Sequence, residues 1–231
     1  MSPHPTHPKP TIMKIHLQTP EEIRPQIWKE LGRASLDRHH EWRTPVLASA
    51  DADGLPDART GVQLAAHAPD TCSTSFLKTI GEASRRMGIP VQTHLAQSKV
   101  EVARIRERDG KTPAELLDEV GLLDNRLVAA HCIHLTSDDI LRIGRAGVRL
   151  AHIPKGNATG GTIAPTRALV DAGAKLTIAT DNMHADMVEV MRWALAIGRV
   201  QRGSVEDSWQ PEHMLYAATE EGAAAMGLTG E

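Results

Sequence analysis

Four ionisable residues stand at the ends of short apolar runs: His67, His94, His131 and Asp181. The runs are Gly61–Ala66, Val91–Leu95, Leu127–His131 and Lys175–Thr180, and a fifth, Val148–Ile153, contains His152. Imidazole and carboxylate together form a donor set suited to zinc or iron, and such a metal turns water into a nucleophile near neutral pH. A single histidine at such a place is ordinary. Three histidines and an aspartate at equivalent places form a pattern. Histidine is also abundant, with twelve residues against one Phe and one Tyr.

These residues need elements to position them. Between the apolar runs lie amphipathic segments with helix start signals. Thr112-Pro113-Ala114-Glu115 combines an N-cap, a proline at the first helical position and a reciprocating glutamate, and Thr136-Ser137-Asp138-Asp139 has the same character. Gly88, Gly121, Gly147 and Gly173 follow the helical stretches, where a left-handed residue closes a helix. Strand–helix alternation with nearly continuous apolar strands predicts an α/β fold on a parallel sheet. In such folds the loops after the strand C-termini build the site, and all four residues fall there.

Other residues of these types have plainer readings. His134 is a loop residue. His152 packs at the rim of its strand or touches substrate. Asp186 is an acid at a helix N-terminus, favoured by the macrodipole. His39 and His40 read as a solvated pair rather than a ligand set, and Cys72 and Cys132, near the site, as small buried residues rather than ligands.

Bulk properties exclude several classes. A net charge of −3 gives no electrostatic case for nucleic acid or a membrane surface. No apolar run approaches the roughly 18 residues of a membrane helix. The first ten residues are rich in Pro and His and lack the apolar core of a signal peptide. Two cysteines make no disulfide framework, so a cytoplasmic location is expected. The expected partner is a small molecule.

The chain divides into three parts. Residues 1–19 read as a flexible Pro-rich arm. Residues 20–62 read as a short helix from Pro20 to Gly32 followed by a hairpin, Arg43–Ala50 and Asp57–Leu64, around the turn Asp51-Ala52-Asp53-Gly54. Residues 63–231 carry the strand–helix alternation.

From about residue 62 onward five stretches resemble the cyclic-deaminase and chlorohydrolase branch of the amidohydrolase superfamily. They are Ala66-His67-Ala68-Pro69-Asp70-Thr71-Cys72-Ser73, Thr93-His94-Leu95-Ala96-Gln97-Ser98, Ala130-His131-Cys132, Ala151-His152-Ile153-Pro154-Lys155-Gly156-Asn157 and Thr180-Asp181-Asn182. The resemblance implies a partial (β/α) TIM-type barrel, strands four to eight, and hydrolytic displacement at a ring carbon of a nitrogen heterocycle, breaking a C–N or C–Cl bond. It implies His94 and Asp181 as ligands of zinc or iron. Asp181 also accepts the proton of the attacking water, and His131 orients or polarises that water and the substrate. His67 and Gln97 contact substrate. His184 contacts substrate or begins the next helix.

The chain departs from the family pattern at two points. No His-x-His pair occurs anywhere in it, although the family's first strand carries one that supplies two metal ligands. Gln97 stands where a proton-shuttling glutamate is common. The expectation is therefore a weakly held metal and an impaired hydrolase, with a catalytically inactive binding module as the alternative. Five parallel strands, short of the eight of a closed barrel of about 250 residues, expose sheet edges that favour homo-oligomerisation. Residues 20–62, including Arg59, resemble the opening of a pyridoxamine-phosphate-oxidase-type flavin-binding split barrel. That resemblance implies FMN, the least expected cofactor, because the match stops near residue 60.

Overall fold

Each apolar run becomes a parallel strand. The computed structural model describes residues 63–182 and 185–228. The strands are β1 (Leu64–Ala65), β2 (Val91–Leu95), β3 (Leu127–His131), β4 (Arg149–His152) and β5 (Lys175–Ile178). They form one sheet in the order β1-β2-β3-β4-β5, every pair parallel. Sequential order with parallel pairing requires a crossover after each strand, and the amphipathic segments supply it. The predicted helix 20–32 and hairpin 43–64 lie outside the described residues, apart from the last two hairpin positions.

The helices are α1 (Thr74–Met87), α2 (Lys99–Asp109), α3 (Pro113–Glu119), α4 (Ser137–Arg145), α5 (Pro154–Thr159), α6 (Thr166–Asp171), α7 (Met187–Arg202), α8 (Pro211–Ala218) and α9 (Glu220–Ala225). Both predicted capping boxes are present: Thr112 pairs reciprocally with Glu115, and Thr136 with Asp139. Gly88 closes α1 in the left-handed region at φ 63°, a conformation that costs glycine nothing. Asp186 caps α7, its carboxylate accepting the Glu189 N–H at 2.9 Å.

Strand parity sorts the side chains. Leu64, Val91, Leu95, Leu127, Ala129 and Leu150 face the helices and pack with Leu77, Ile105, Leu117, Ile143 and Leu169 in the main core. A smaller cluster joins Ile178 of β5 to Val190, Ala194, Trp209 and Met214. The opposite face of β2 carries Gln92 and His94, which are not buried. The register pairs Val91 with Leu127 and Leu95 with His131, while His94 pairs with Ala130. No helix of the described residues is long and apolar enough to cross a membrane.

Candidate functional site

The C-terminal ends of β1, β2 and β3 bring three imidazoles together. β1 pairing continues one step beyond the strand, where the His94 N–H donates to the His67 carbonyl at 3.0 Å. His67 and His94 therefore share the face away from the helices, their ring centroids 4.9 Å apart and 62° between planes. His94 Nδ1 also lies 2.6 Å from the His67 carbonyl oxygen. A carbonyl can only accept, so Nδ1 carries a proton, and whenever the ring has a single proton the lone pair is on Nε2. His67 reaches the same tautomer by another route. Its Nδ1 lies 2.9 Å from Thr71 Oγ1. The Thr71 hydroxyl donates to the Ala68 carbonyl, so it accepts from the ring.

His131 joins this pair against strand parity. As the partner of Leu95 it belongs on the helix side. Yet its ring stacks on His94, centroids 5.3 Å apart and 21° between planes. The backbone explains the turn. His131 has φ 70° and Cys132 φ 52°, left-handed values that end the alternation. Ala96 after β2 (φ 50°) and Asp181 after β5 (φ 57°) share the conformation. These four are the non-glycine residues with positive φ among those described, and each sits at or just beyond the end of a strand. Such conformations cost about 1–3 kcal/mol each and concentrate where function demands them.

Interactions around His131 tie the group together. Its Nδ1 lies 3.0 Å from Asn157 Oδ1, on α5. Burial holds its imidazolium pKa below the ordinary range, and the charge of His94 acts in the same direction; the bond to Asn157 and the Asp181 carboxylate oppose them. The ring is thus within electrostatic reach of both His94 and Asp181. The exposed Asp181 carboxylate, just past β5, accepts the Asn182 N–H at 2.7 Å.

The remaining predicted residues divide. Gln97 is exposed in the loop after β2, beside His94 in the chain. His184 lies outside the described residues. His134 is a half-buried loop residue whose N–H donates to the Ala96 carbonyl at 2.9 Å. His152 keeps strand parity and is not at the rim: 1% exposed, it faces the helix layer with Nδ1 3.2 Å from Thr166 Oγ1. Burial pushes its pKa down to about 3. Cys132 is fully buried and its thiol pKa is raised by that burial, so it is no thiolate donor. Two residues were missed by sequence reasoning. One is Asn157, the partner of His131. The other is Glu101, a buried carboxylate bound to the loop of Gln97. The signal for Glu101 is Ser98-Lys99-Val100-Glu101, a capping-box spacing directly after the His94 strand.

This arrangement has relatives. The sequence profile of the Amidohydrolase family matches residues 9–231. The chain belongs to the amidohydrolase family. A 5-methylthioadenosine/S-adenosylhomocysteine deaminase of Moorella thermoacetica is 35% identical over 186 residues, covering 77% of this chain and 42% of that protein. The protein of the same name from Pyrococcus abyssi is 35% identical over 219 residues, covering 90% of this chain and 51% of that one. Among solved structures, an adenosine deaminase from Xanthomonas campestris with bound zinc superposes at TM-score 0.73 and 27% identity, over 84% of this chain and 43% of that chain. This amidohydrolase chain thus spans about half or less of the length of these relatives. The family match runs through residues 20–62, and the split-barrel resemblance of that segment finds no support.

The donor set partly fits a metal. His94 has the backbone anchor typical of a metal-binding imidazole, with Nδ1–H on a carbonyl. Among the described residues, however, no three His, Cys, Asp or Glu side chains converge closely enough to hold an ion. An ordinary catalytic zinc takes three protein ligands, so a full site requires at least one further donor.

Proposed function

We propose that this amidohydrolase chain carries part of a hydrolytic deaminase site for a nitrogen heterocycle, with β1 to β5 as strands four to eight of a (β/α) barrel. The observation that carries the reading is the convergence of His67, His94 and His131, with rings 4.9 and 5.3 Å apart in sequence, under the field of Asp181. The names of the curated relatives favour a purine nucleoside as the heterocycle.

In this reading His94 and Asp181 hold a divalent metal, which when bound lowers the pKa of water towards about 7. Asp181 takes the proton from the attacking water. His131, its Nδ1–H given to Asn157, accepts a hydrogen bond from that water at Nε2 and fixes its approach to the ring carbon. Its depressed pKa keeps the imidazole neutral for that task at neutral pH. The C–N bond breaks as the new C–O bond forms, and the amino group leaves as ammonia after taking up the proton. His67 lines the site, and its Nε2 accepts from a substrate hydroxyl or amine. Gln97 hydrogen-bonds the ring; an amide holds a substrate there but shuttles no proton. His184 is a further substrate contact on this reading.

Ammonia release from 5-methylthioadenosine, S-adenosylhomocysteine, adenosine and guanine, with zinc supplied, tests the proposal. Release that disappears in Asp181→Asn supports it, and no release from any of them contradicts it. Gln97 and the lack of a three-donor cluster among the described residues favour a second reading, a module that binds the heterocycle without turnover. Calorimetric binding of the same compounds with no ammonia would select it. We also propose self-association through the open sheet edges, at β1 and β5, each of which pairs with a single strand among the described residues. Light scattering showing only monomer at micromolar concentration would exclude it.

A further inference from the structure

Glu101 lies on α2, yet its carboxylate turns back to the loop before the helix. Oε1 accepts the Ala96 N–H at 2.7 Å and Oε2 the Gln97 N–H at 2.8 Å. The residue is 4% exposed. The Ser98 hydroxyl caps α2 by accepting the Glu101 N–H at 3.1 Å, and the carboxylate also faces the Ser98 N–H, but its two short bonds go to the loop before the helix. Burying a carboxylate is costly, more so than burying an apolar side chain at the same place. What the carboxylate supplies is a pair of anionic acceptors that close a tight bend, with Ala96 held at φ 50°.

The bend reaches further than its own loop. The Ala96 carbonyl accepts the N–H groups of both Ile133 and His134, at 3.2 and 2.9 Å. The neighbouring Leu95 carbonyl accepts the Cys132 N–H at 2.9 Å. The loop that Glu101 closes is therefore the template for the left-handed turn at His131 and Cys132. Through two layers of hydrogen bonds one buried side chain is linked to the ends of both β2 and β3.

We propose that Glu101 is a positioning residue: its two carboxylate oxygens set the Ala96–Gln97 bend, and that bend sets the ring positions of His94 and His131. The inference rests on the reading of those rings as site residues, but its test does not require turnover. Nitrogen and proton NMR of the full chain reads it. In wild type the Ala96 and Gln97 amides resonate downfield, as charge-assisted donors do, and exchange slowly with solvent. In Glu101→Gln one of the two amides loses its acceptor and moves upfield, and the imidazole nitrogens of both His94 and His131 shift. Ser98→Ala, which weakens the cap of α2 but leaves the carboxylate in place, shifts neither ring. Unchanged imidazole resonances in Glu101→Gln would overturn the proposal and leave Glu101 as a fold residue. If Glu101→Gln does not fold, exchange in wild type decides: Ala96 and Gln97 amides exchanging as fast as an exposed loop would overturn it equally. If the two variants give these NMR responses and the wild type releases no ammonia, the proposed deaminase is refuted and the positioning role stands.

Discussion

β3 and β4 are adjacent strands that both end in a buried histidine, and the two histidines have different surroundings. His131 is 2% exposed and His152 1%. Parity assigns both to the helix side of the sheet. At the end of β3 the backbone passes through two left-handed residues, and the ring comes to lie on His94 within the field of Asp181. At the end of β4 the parity holds, and the ring stays in the helix layer against Thr166, with Nε2 unpartnered among the described residues. Position at a strand end therefore does not by itself bring a ring into the imidazole cluster. In β3 the left-handed backbone at His131 and Cys132 carries the ring to His94, and the loop after β2 accepts the Cys132, Ile133 and His134 N–H groups.

The largest effect expected falls on the site side. Asp181→Asn removes the proposed proton acceptor, and kcat for ammonia release should fall by about 10²–10⁴-fold, the range for loss of a general base. Steady-state kinetics checks this, and a change below threefold would remove Asp181 from the chemistry.

The next prediction concerns the helix side and pH. His152 has its pKa depressed to about 3 in the folded chain, against 6.5 for a free ring. Between those values the unfolded chain binds a proton that the folded chain does not, so stability falls as pH drops from about 6.5 towards 3. Each unit of pH across the window costs up to about 1.4 kcal/mol from this group. Urea unfolding at pH 7, 5 and 4 should show a steeper loss in wild type than in His152→Leu. Parallel lines would show that the ring is not buried as described.

A smaller effect is expected at Asn157. Replacing it by Ala removes a bond that raises the His131 pKa, so the His131 titration should move to lower pH in an NMR titration. An upward shift would contradict the assigned contact. The smallest effect is expected at Ala96. Glycine adopts φ 50° without strain, so Ala96→Gly should alter stability by about 1 kcal/mol or less, in contrast to a larger loss for Ala129→Gly in the regular part of β3. Equal losses at the two positions would argue against the left-handed bend.

Much of the frame was legible before any coordinates. The five apolar runs, two capping boxes and helix-ending glycines translate directly into strands and helices because each rests on local chemistry. His67, His94 and Asp181 stand at strand ends for the same reason. The distinction between His131 and His152 was not legible from parity, since Ala-His-Cys carries no glycine to announce a left-handed turn. Glu101 was not legible either: its spacing from Ser98 suggests an ordinary capping box, and only the fold shows the carboxylate reaching back to Ala96 and Gln97 as well. The sequence places His152 at the rim of its strand or against substrate, but an unbroken alternation carries it under the helices.

The most direct test sets the two histidines side by side. Ammonia release from 5-methylthioadenosine is measured for the zinc-supplemented wild type, His131→Asn and His152→Leu. His131→Asn should lose at least about 100-fold in kcat/KM and His152→Leu should change within about threefold, as expected when one group acts in the reaction and the other packs. Full activity in His131→Asn, or equal losses in both variants, would contradict this division of roles.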